Sequence, residues 1–481
     1  MKEFGIRQRI GFILAPVAFF SLYTLPLYSA NPSAHKALAL FITVVILWVT
    51  EAIPLAFTAL LIPFFAIVLG IANSTEAFSN FSNPIIFLFF GSFVIAKAMS
   101  YHGLDKRIAI LIISRKWVNS PSRILFSIGA VTAFLSMWIS NTATTAMIYL
   151  ISLGIYGLLS SGWEERESKR FGLVLMLISA YAASIGGIGT PVGTPPNLIA
   201  IGFLEKFNTE KISFFQWMLM TFPYLLVLFL VMFFTLRGKG FVGGIDKKRL
   251  NVELKSFSRG ELNVLAIFCV VVFLWIFPGI ASILFGDSPF VLWFGQHLPE
   301  SSVALLGAIL TILIPINWKR GEFTLPFKEA ISIDWGTLLL FGGGLTLGDI
   351  LFRTGLAGDM GMWIKDNIPI NNIFVITIIF CFLTVFLTEF TSNVAAINIM
   401  APIIISTCIA FAVDPLIPVI TSTIGASLAF ALPVSTPPNA IVYSTGFVPL
   451  PSMLKYGILI DLAGIAFSPI FVLWLKMVIQ K

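Results

Sequence analysis

Two short polar islands occur twice in this chain, each time inside apolar sequence long enough to cross a bilayer. Ser140-Asn141-Thr142 is followed, in the next apolar segment, by Pro191-Val192-Gly193-Thr194-Pro195-Pro196-Asn197. Ser392-Asn393-Val394 is followed in the same way by Pro433-Val434-Ser435-Thr436-Pro437-Pro438-Asn439. Proline has no N–H and cannot continue a helix, so each Thr-Pro-Pro-Asn breaks one. Unpaired backbone at membrane depth is tolerated only where protein or a water-filled cavity surrounds it. Paired interruptions in corresponding halves of a chain are the sequence mark of a binding site in a transporter built from repeats.

Only 11% of the 481 residues are charged and 58% are hydrophobic. A soluble domain carries about a quarter charged residues. The apolar runs are about 20 residues long and lack period-two alternation, which excludes a barrel and predicts an all-α polytopic protein in a lipid bilayer. The formal net charge of +7 does not point to nucleic acid. Lys and Arg sit in short loops between apolar runs, where they set membrane orientation. Cys269, Cys381 and Cys408 lie in apolar sequence without metal-ligand spacing, so they read as free thiols. Lys2, Arg7 and Arg9 ahead of the first apolar run resemble a signal peptide, but the run's length and the segments after it predict a retained helix.

Spans are expected at 11–29, 37–53, 55–71 and from Asn83-Pro84 to His102, then a basic amphipathic interfacial helix over Asp105–Arg123. Segment 124–159 has no charged residue and holds Ser140-Asn141-Thr142 at its middle, which suits a re-entrant hairpin. Trp163–Arg170 reads as a polar loop, 171–202 as a span interrupted at Gly186–Asn197, and 217–236 as the sixth span. A basic loop at 237–260 carries Arg237, Lys239, Lys247, Lys248, Arg249, Lys255 and Arg259. Spans at 261–285, 301–316 and 334–352 and a polar segment with Arg353, Asp359 and Lys365 follow. A second hairpin over 371–412, a broken span at 416–447 and a last span at 457–478 complete eleven crossings and two hairpins. The Lys and Arg bias then puts the N-terminus in the cytoplasm and the C-terminus outside.

The halves match beyond the islands. Phe89-Phe90-Gly91 and Gly103-Leu104 recur as Phe341-Gly342-Gly343 and Gly355-Leu356, and the same 252-residue offset relates Ser136 to Thr388, Ser140 to Ser392 and Asn141 to Asn393. The Thr-Pro-Pro-Asn motifs are offset by 242. An odd number of crossings separates the halves, so the repeats are inverted.

Ser136 and Ser140 are four residues apart, expected on one helical face, with Asn141 next; Thr388, Ser392 and Asn393 repeat this. Neutral hydroxyls and amides with unwound carbonyls suit a weakly bound monovalent cation, whereas magnesium or calcium calls for carboxylates. Segments 124–159, 171–202 and 416–447 contain no Lys, Arg or His, and 371–412 has Glu389 as its one charge. An anion bound there needs its positive charge from bound sodium, which fixes the order as cation first.

At these residues the chain resembles the divalent anion–sodium symporter family, the INDY-like carboxylate transporters, over nearly its whole length. Pro84-Ile85-Ile86-Phe87-Leu88-Phe89 and Gly103-Leu104-Asp105-Lys106-Arg107 add to the resemblance. It implies sodium-driven uptake of dicarboxylates or citrate across the plasma membrane, sulfate in some relatives, by a homodimer with an elevator mechanism. The implied scaffold is 1–123 and 237–370; the implied transport domain is 124–236 and 371–481. Carried over, the sodium sites use Ser136, Ser140, Asn141 and the backbone at Gly193, and Thr388, Thr391, Ser392, Asn393 and the backbone at Ser435. The anion meets Asn141, Thr142 and Thr194 from one half and Asn393 and Thr436 from the other. Val394 departs from the Ser-Asn-Thr pattern and removes one hydroxyl, so the preferred anion stays open. A sodium-independent exchanger and a channel are the other readings. An intramembrane aspartyl protease has Gly348-Asp349 but no partner Tyr-Asp. Asp349 is the repeat counterpart of Lys97; either the two pair across the pseudo-symmetry or Lys97 snorkels to the membrane surface.

Overall fold

The computed structural model describes residues 5–27, 31–159, 163–207, 211–238, 241, 256–286, 288–368 and 372–479. Of the basic loop, Lys239, Lys247, Lys248, Arg249 and Lys255 lie outside the described residues.

The first half contains α1 (Ile6–Thr24), α2 (Pro32–Thr50), α3 (Leu55–Val68), α4 (Ser74–Ser79), α5 (Pro84–His102), α6 (Leu104–Ile113), α7 (Pro121–Ser136), α8 (Asn141–Leu159), α9 (Glu165–Gly187), α10 (Pro195–Phe207) and α11 (Phe214–Arg237). The second contains α12 (Arg259–Phe285), α13 (Pro289–His297), α14 (Glu300–Leu313), α15 (Phe327–Ala330), α16 (Trp335–Arg353), α17 (Leu356–Asn367), α18 (Ile373–Phe390), α19 (Asn393–Ala410), α20 (Leu416–Ala426), α21 (Pro437–Ser444) and α22 (Leu450–Ile479). Strands β1 (Pro315–Asn317) and β2 (Glu322–Phe323) pair antiparallel between α14 and α15. Among the described residues, ten helical stretches are long and apolar enough to cross a membrane, by length and composition.

Both expected hairpins form, as α7–α8 and α18–α19, and both expected broken spans form, as α9–α10 and α20–α21. The repeat also governs the packing. α3 packs on α16 and its counterpart α14 packs on α5; α10 packs on α20 and its counterpart α21 packs on α9. Each half therefore completes its core with an element of the other. Gly91 of α5 and Gly343 of α16 mark one such exchange. A β-carbon at Gly91 would run into the Ala304 backbone of α14, and one at Gly343 into the Ala59 backbone of α3. Small residues let membrane helices approach backbone to backbone, and here the same contact is made twice.

Several boundaries differ from the sequence expectation. The interfacial helix α6 ends at Ile113, and Arg123 belongs to α7, because Ser120 Oγ accepts from Arg123 N and Pro121 occupies the first helical position. Such a cap starts a new helix. Trp163–Arg170 is not all loop: α9 starts at Glu165, with Glu165 and Glu167 in its first turn, where the helix dipole favours acidic side chains. The polar segment after Arg353 is the helix α17, entered through Gly355 at φ +81°. The last helix begins at Leu450 rather than 457. Lys97 and Asp349 do not pair. Lys97 Nζ meets Glu329 of α15 at 3.2 Å, and Asp349 meets Lys206 of α10 at 3.3 Å and Arg353 at 3.2 Å. Lys97 is met from α15, and Asp349 from α10 and from its own helix, pairings that the repeat register does not encode.

Candidate site at the hairpin tips and helix breaks

Each hairpin reverses at its polar island. α7 ends at Ser136, and Ser140, after the turn, caps α8: its Oγ accepts from Ala143 N at 3.3 Å. In the second half α18 runs to Phe390 and Ser392 precedes α19. Ser136 and Ser140 therefore do not share a helical face, since the chain has turned between them. The turn itself brings Ser136 back to the next arm, where its Oγ donates to Asn141 Oδ1 at 2.6 Å. Thr388 Oγ1 donates to Asn393 Oδ1 at 2.8 Å in the counterpart contact. Ser136 and Thr388 are fully buried, whereas Asn141 and Asn393 are half-buried. Neither Asn Nδ2 is assigned a bond among the described residues, so each tip presents two amide hydrogens.

The tips lean on the breaks. Thr190 Oγ1 donates to Met137 O in the first half, and Thr388 Oγ1 lies 2.9 Å from Ala426 O in the second. A β-carbon on Gly187 would lie 2.5 Å from Asn141 Oδ1, so the first tip rests on the end of α9. At Gly193 a side chain would meet Gly187 O at 2.5 Å. Ser435 takes the corresponding place, and its Oγ donates to Leu432 O at 2.6 Å. A helix end leaves up to four carbonyls without intrahelical partners. Two breaks thus place carbonyl oxygens next to two hydroxyl–amide pairs.

Of the other expected site residues, Thr142 is exposed at the first tip, Thr194 is buried in the first break, and Ser392 is half-buried. Thr436 is buried and spends its Oγ1 capping α21, accepting from Asn439 N at 3.3 Å. The Thr391 hydroxyl points away from the break and donates to Trp48 O of α2 at 3.0 Å, leaving only its backbone for the site. Val394 is buried and joins the apolar core, while its counterpart Thr142 is open. Glu389 lies beside the second tip, and its carboxylate accepts from Ala431 N at 2.8 Å and Leu432 N at 3.1 Å. Sequence reasoning missed Trp217 and Tyr181, which donate into the breaks from α11 and α9: Trp217 Nε1 to Ile188 O at 3.0 Å, Tyr181 Oη to Phe430 O at 2.8 Å. An aromatic in an apolar helix gives no signal that separates this role from core packing.

Among the described residues no group of three or more His, Cys, Asp or Glu is placed to hold a metal ion. At each tip a hydroxyl, an amide and nearby carbonyls meet, and the segments that carry them contain no Lys, Arg or His; neutral oxygens of this kind suit a monovalent cation better than magnesium or calcium.

The chain matches, over residues 8–480, the family described as the sodium:sulfate symporter transmembrane region. It is 34% identical to a sodium-dependent dicarboxylate transporter, SdcS, of Staphylococcus saprophyticus, over 96% of this chain and 90% of that one. It is 33% identical to SdcS of Staphylococcus aureus, with the same coverage. An uncharacterized transporter of Haemophilus influenzae is 35% identical over 98% of each chain. Two solved transporters share the fold at 13% sequence identity and TM-score 0.57: YdaH of Alcanivorax borkumensis, covering 86% of this chain and 88% of that one, and MtrF of Neisseria gonorrhoeae, covering 95% and 97%. With its repeats, hairpins and breaks in place and the family model matched from end to end, the chain belongs to the divalent anion–sodium symporters, the sodium:sulfate symporter family.

Proposed function

We propose that this protein is a sodium-coupled symporter that carries dicarboxylates such as succinate, malate or fumarate, or citrate, into the cell. The observation that carries the reading is the twofold tip: Ser136 bound to Asn141 and Thr388 bound to Asn393, each beside an unwound segment, with no Lys, Arg or His in the hairpin and broken-span segments that carry them. Sodium is held by Ser136, Ser140, Asn141 and the carbonyls near Gly193, and by Thr388, the Thr391 backbone, Ser392, Asn393 and the carbonyls near Ser435. The anion lies between the tips, against the Nδ2 groups of Asn141 and Asn393 and the hydroxyls of Thr142, Thr194 and Thr436. The names of the SdcS relatives support a dicarboxylate. The buried methyls of Val394 in place of a second hydroxyl, together with the family's description, make sulfate the anion to test beside it.

The transport domain of 124–236 and 371–481 moves against the scaffold of 1–123 and 237–370 as an elevator, in a homodimer in the plasma membrane. The contacts that such a movement exchanges include Thr391 on Trp48 and Lys206 on Asp349. The test is uptake of labelled succinate, citrate and sulfate into proteoliposomes with inward sodium or choline gradients. Succinate accumulation that needs sodium, and that Asn141→Ala and Asn393→Ala abolish in folded protein, is expected. Equal uptake in choline refutes the coupling.

A further inference from the structure

The two breaks fasten their loose carbonyls by one plan. In the first, Asn197 Nδ2 donates to Gly187 O at 2.9 Å and to Thr190 O at 2.8 Å, and Trp217 Nε1 takes Ile188 O between them. In the second, Asn439 Nδ2 donates to Ala429 O and Leu432 O, both at 2.9 Å, and Tyr181 Oη takes Phe430 O. The three carbonyls of one set lie 242 residues from those of the other, in the same order. Asn197, Asn439, Trp217 and Tyr181 are all buried.

Two features separate this plan from ordinary satisfaction of buried groups. The asparagines descend from the repeat, but the aromatic donors do not. Trp217 comes from α11 and Tyr181 from α9, and their positions in the other half hold Leu459 and Thr423. The same carbonyl has been met twice by unrelated side chains. Each asparagine is also retained although its Oδ1 is buried without a partner in both halves, an arrangement that costs stability. It is the two donor hydrogens that both sites keep.

A peptide plane bonded to a rigid donor cannot rotate freely, and its neighbours inherit the constraint. Among the described residues the carbonyls of Gly189, Pro191 and Val192, and of Ala431, Pro433 and Val434, carry no hydrogen bond. They are interleaved with or directly follow the fastened three. We propose that Asn197 with Trp217, and Asn439 with Tyr181, are positioning residues that select which carbonyls of each break face sodium and so set sodium affinity. This rests on sodium being held at the breaks, as in the function proposed above.

The experiment uses the full-length purified protein with Tyr181→Phe in one half and Trp217→Phe in the other, each keeping an aromatic ring and losing the donor. Three quantities are read: half-saturating sodium for uptake, succinate KM at saturating sodium, and melting temperature in sodium chloride against choline chloride. Losing one hydrogen bond that orients a ligand is expected to raise half-saturating sodium about three- to tenfold. Sodium should also stabilise each variant less than wild type, with succinate KM at saturating sodium unchanged. A melting temperature lowered equally in both salts, with half-saturating sodium unchanged, means the donors only stabilise the fold and overturns the inference. If one variant does not fold, the other reads the same quantity for its own break. Wild-type protein indifferent to sodium in uptake and melting removes the parent reading; wild-type dependence on sodium with variants that match it removes this inference alone.

Discussion

Thr388→Val tests the sodium chemistry at its most constrained atom. Thr388 is fully buried, and its Oγ1 lies 2.8 Å from Asn393 Oδ1 and 2.9 Å from Ala426 O. A hydroxyl has one proton, so it donates to one of these at a time and keeps its lone pairs for a cation. Valine has nearly the same shape, which limits the change to the lost oxygen and proton. Losing the neutral hydrogen bond costs about 0.5–1.5 kcal/mol of stability. Losing an oxygen that touches a cation costs about 1.5–3 kcal/mol of binding, on the scale of hydrogen bonds to charged groups. At 1.4 kcal/mol per decade this is a rise of roughly ten- to a hundredfold in half-saturating sodium. Succinate uptake in proteoliposomes across a sodium series, with potassium held constant, reads it directly. Sodium half-saturation within about twofold of wild type, beside a lower melting temperature in every salt, would show that Thr388 only ties the tip to the break and would refute the assignment.

Three further outcomes follow from the same geometry. Gly91→Leu and Gly343→Leu should each lower the melting temperature of the purified protein, by an overpacking cost of about 1–3 kcal/mol or more, because each side chain enters the facing helix's backbone; a melting curve unchanged in both would mean the two helix exchanges are not close-packed. Lys206→Met leaves Asp349 to Arg353 alone and removes one polar tie between α10 and α16; since the pair is partly exposed and such pairs are worth about 0–1 kcal/mol, turnover should change by no more than about fivefold with half-saturating sodium unmoved, and a large change in sodium dependence would place Lys206 in the ion site. Val394→Thr should change the ratio of inhibition constants for succinate, citrate and sulfate by a few-fold to about tenfold, the worth of one neutral hydrogen bond, with sodium dependence intact; unchanged ratios with a lower melting temperature would put Val394 in the packing alone.

The parts of the site that sequence revealed are those that the backbone alone dictates. Two prolines after a threonine end one helix before they begin the next, which placed both breaks, and a polar tripeptide at the middle of a long apolar segment placed both hairpins, without knowing a single contact. The constant offset linked Ser136 to Thr388 and Asn141 to Asn393, and those pairs make the same hydrogen bond. What stayed hidden depends on where helices lie in space. The helical reading of Ser136 and Ser140 failed because nothing in Met137-Trp138-Ile139 announces a reversal by itself. Lys97 and Asp349 do not pair because repeat equivalence relates positions, not neighbours, and inverted repeats place equivalent residues on opposite sides of the pseudo-axis. Trp217 and Tyr181 reach the breaks across the packing, Trp217 from the next span and Tyr181 from the broken span of the other half, contacts that no spacing in the sequence encodes.

The one carboxylate of the second hairpin, Glu389, has a structural cause in the unequal length of the two breaks. In the repeat frame α9 ends at Gly187, the counterpart of Ala429, whereas α20 stops at Ala426, three residues sooner. The first break closes its N–H groups with backbone turns, Ile188 N to Ile185 O and Gly189 N to Gly186 O. The second makes its turns earlier, Ser427 N to Ile424 O and Leu428 N to Gly425 O, so the groups at Ala431 and Leu432 have passed beyond reach of the helix end. Buried N–H groups require an acceptor, and Glu389 supplies two oxygens to those two donors. In the first break Gly189 N, the counterpart of Ala431 N, is taken by Gly186 O, and Met137, the counterpart of Glu389, offers its carbonyl, which accepts from Thr190 Oγ1. The amide of Asn439 fastens the carbonyls of the second break while the carboxylate of Glu389 fastens its N–H groups. The longer unwound segment is thereby held from both polarities, and the carbonyl pattern it shares with the first break survives the lost turn.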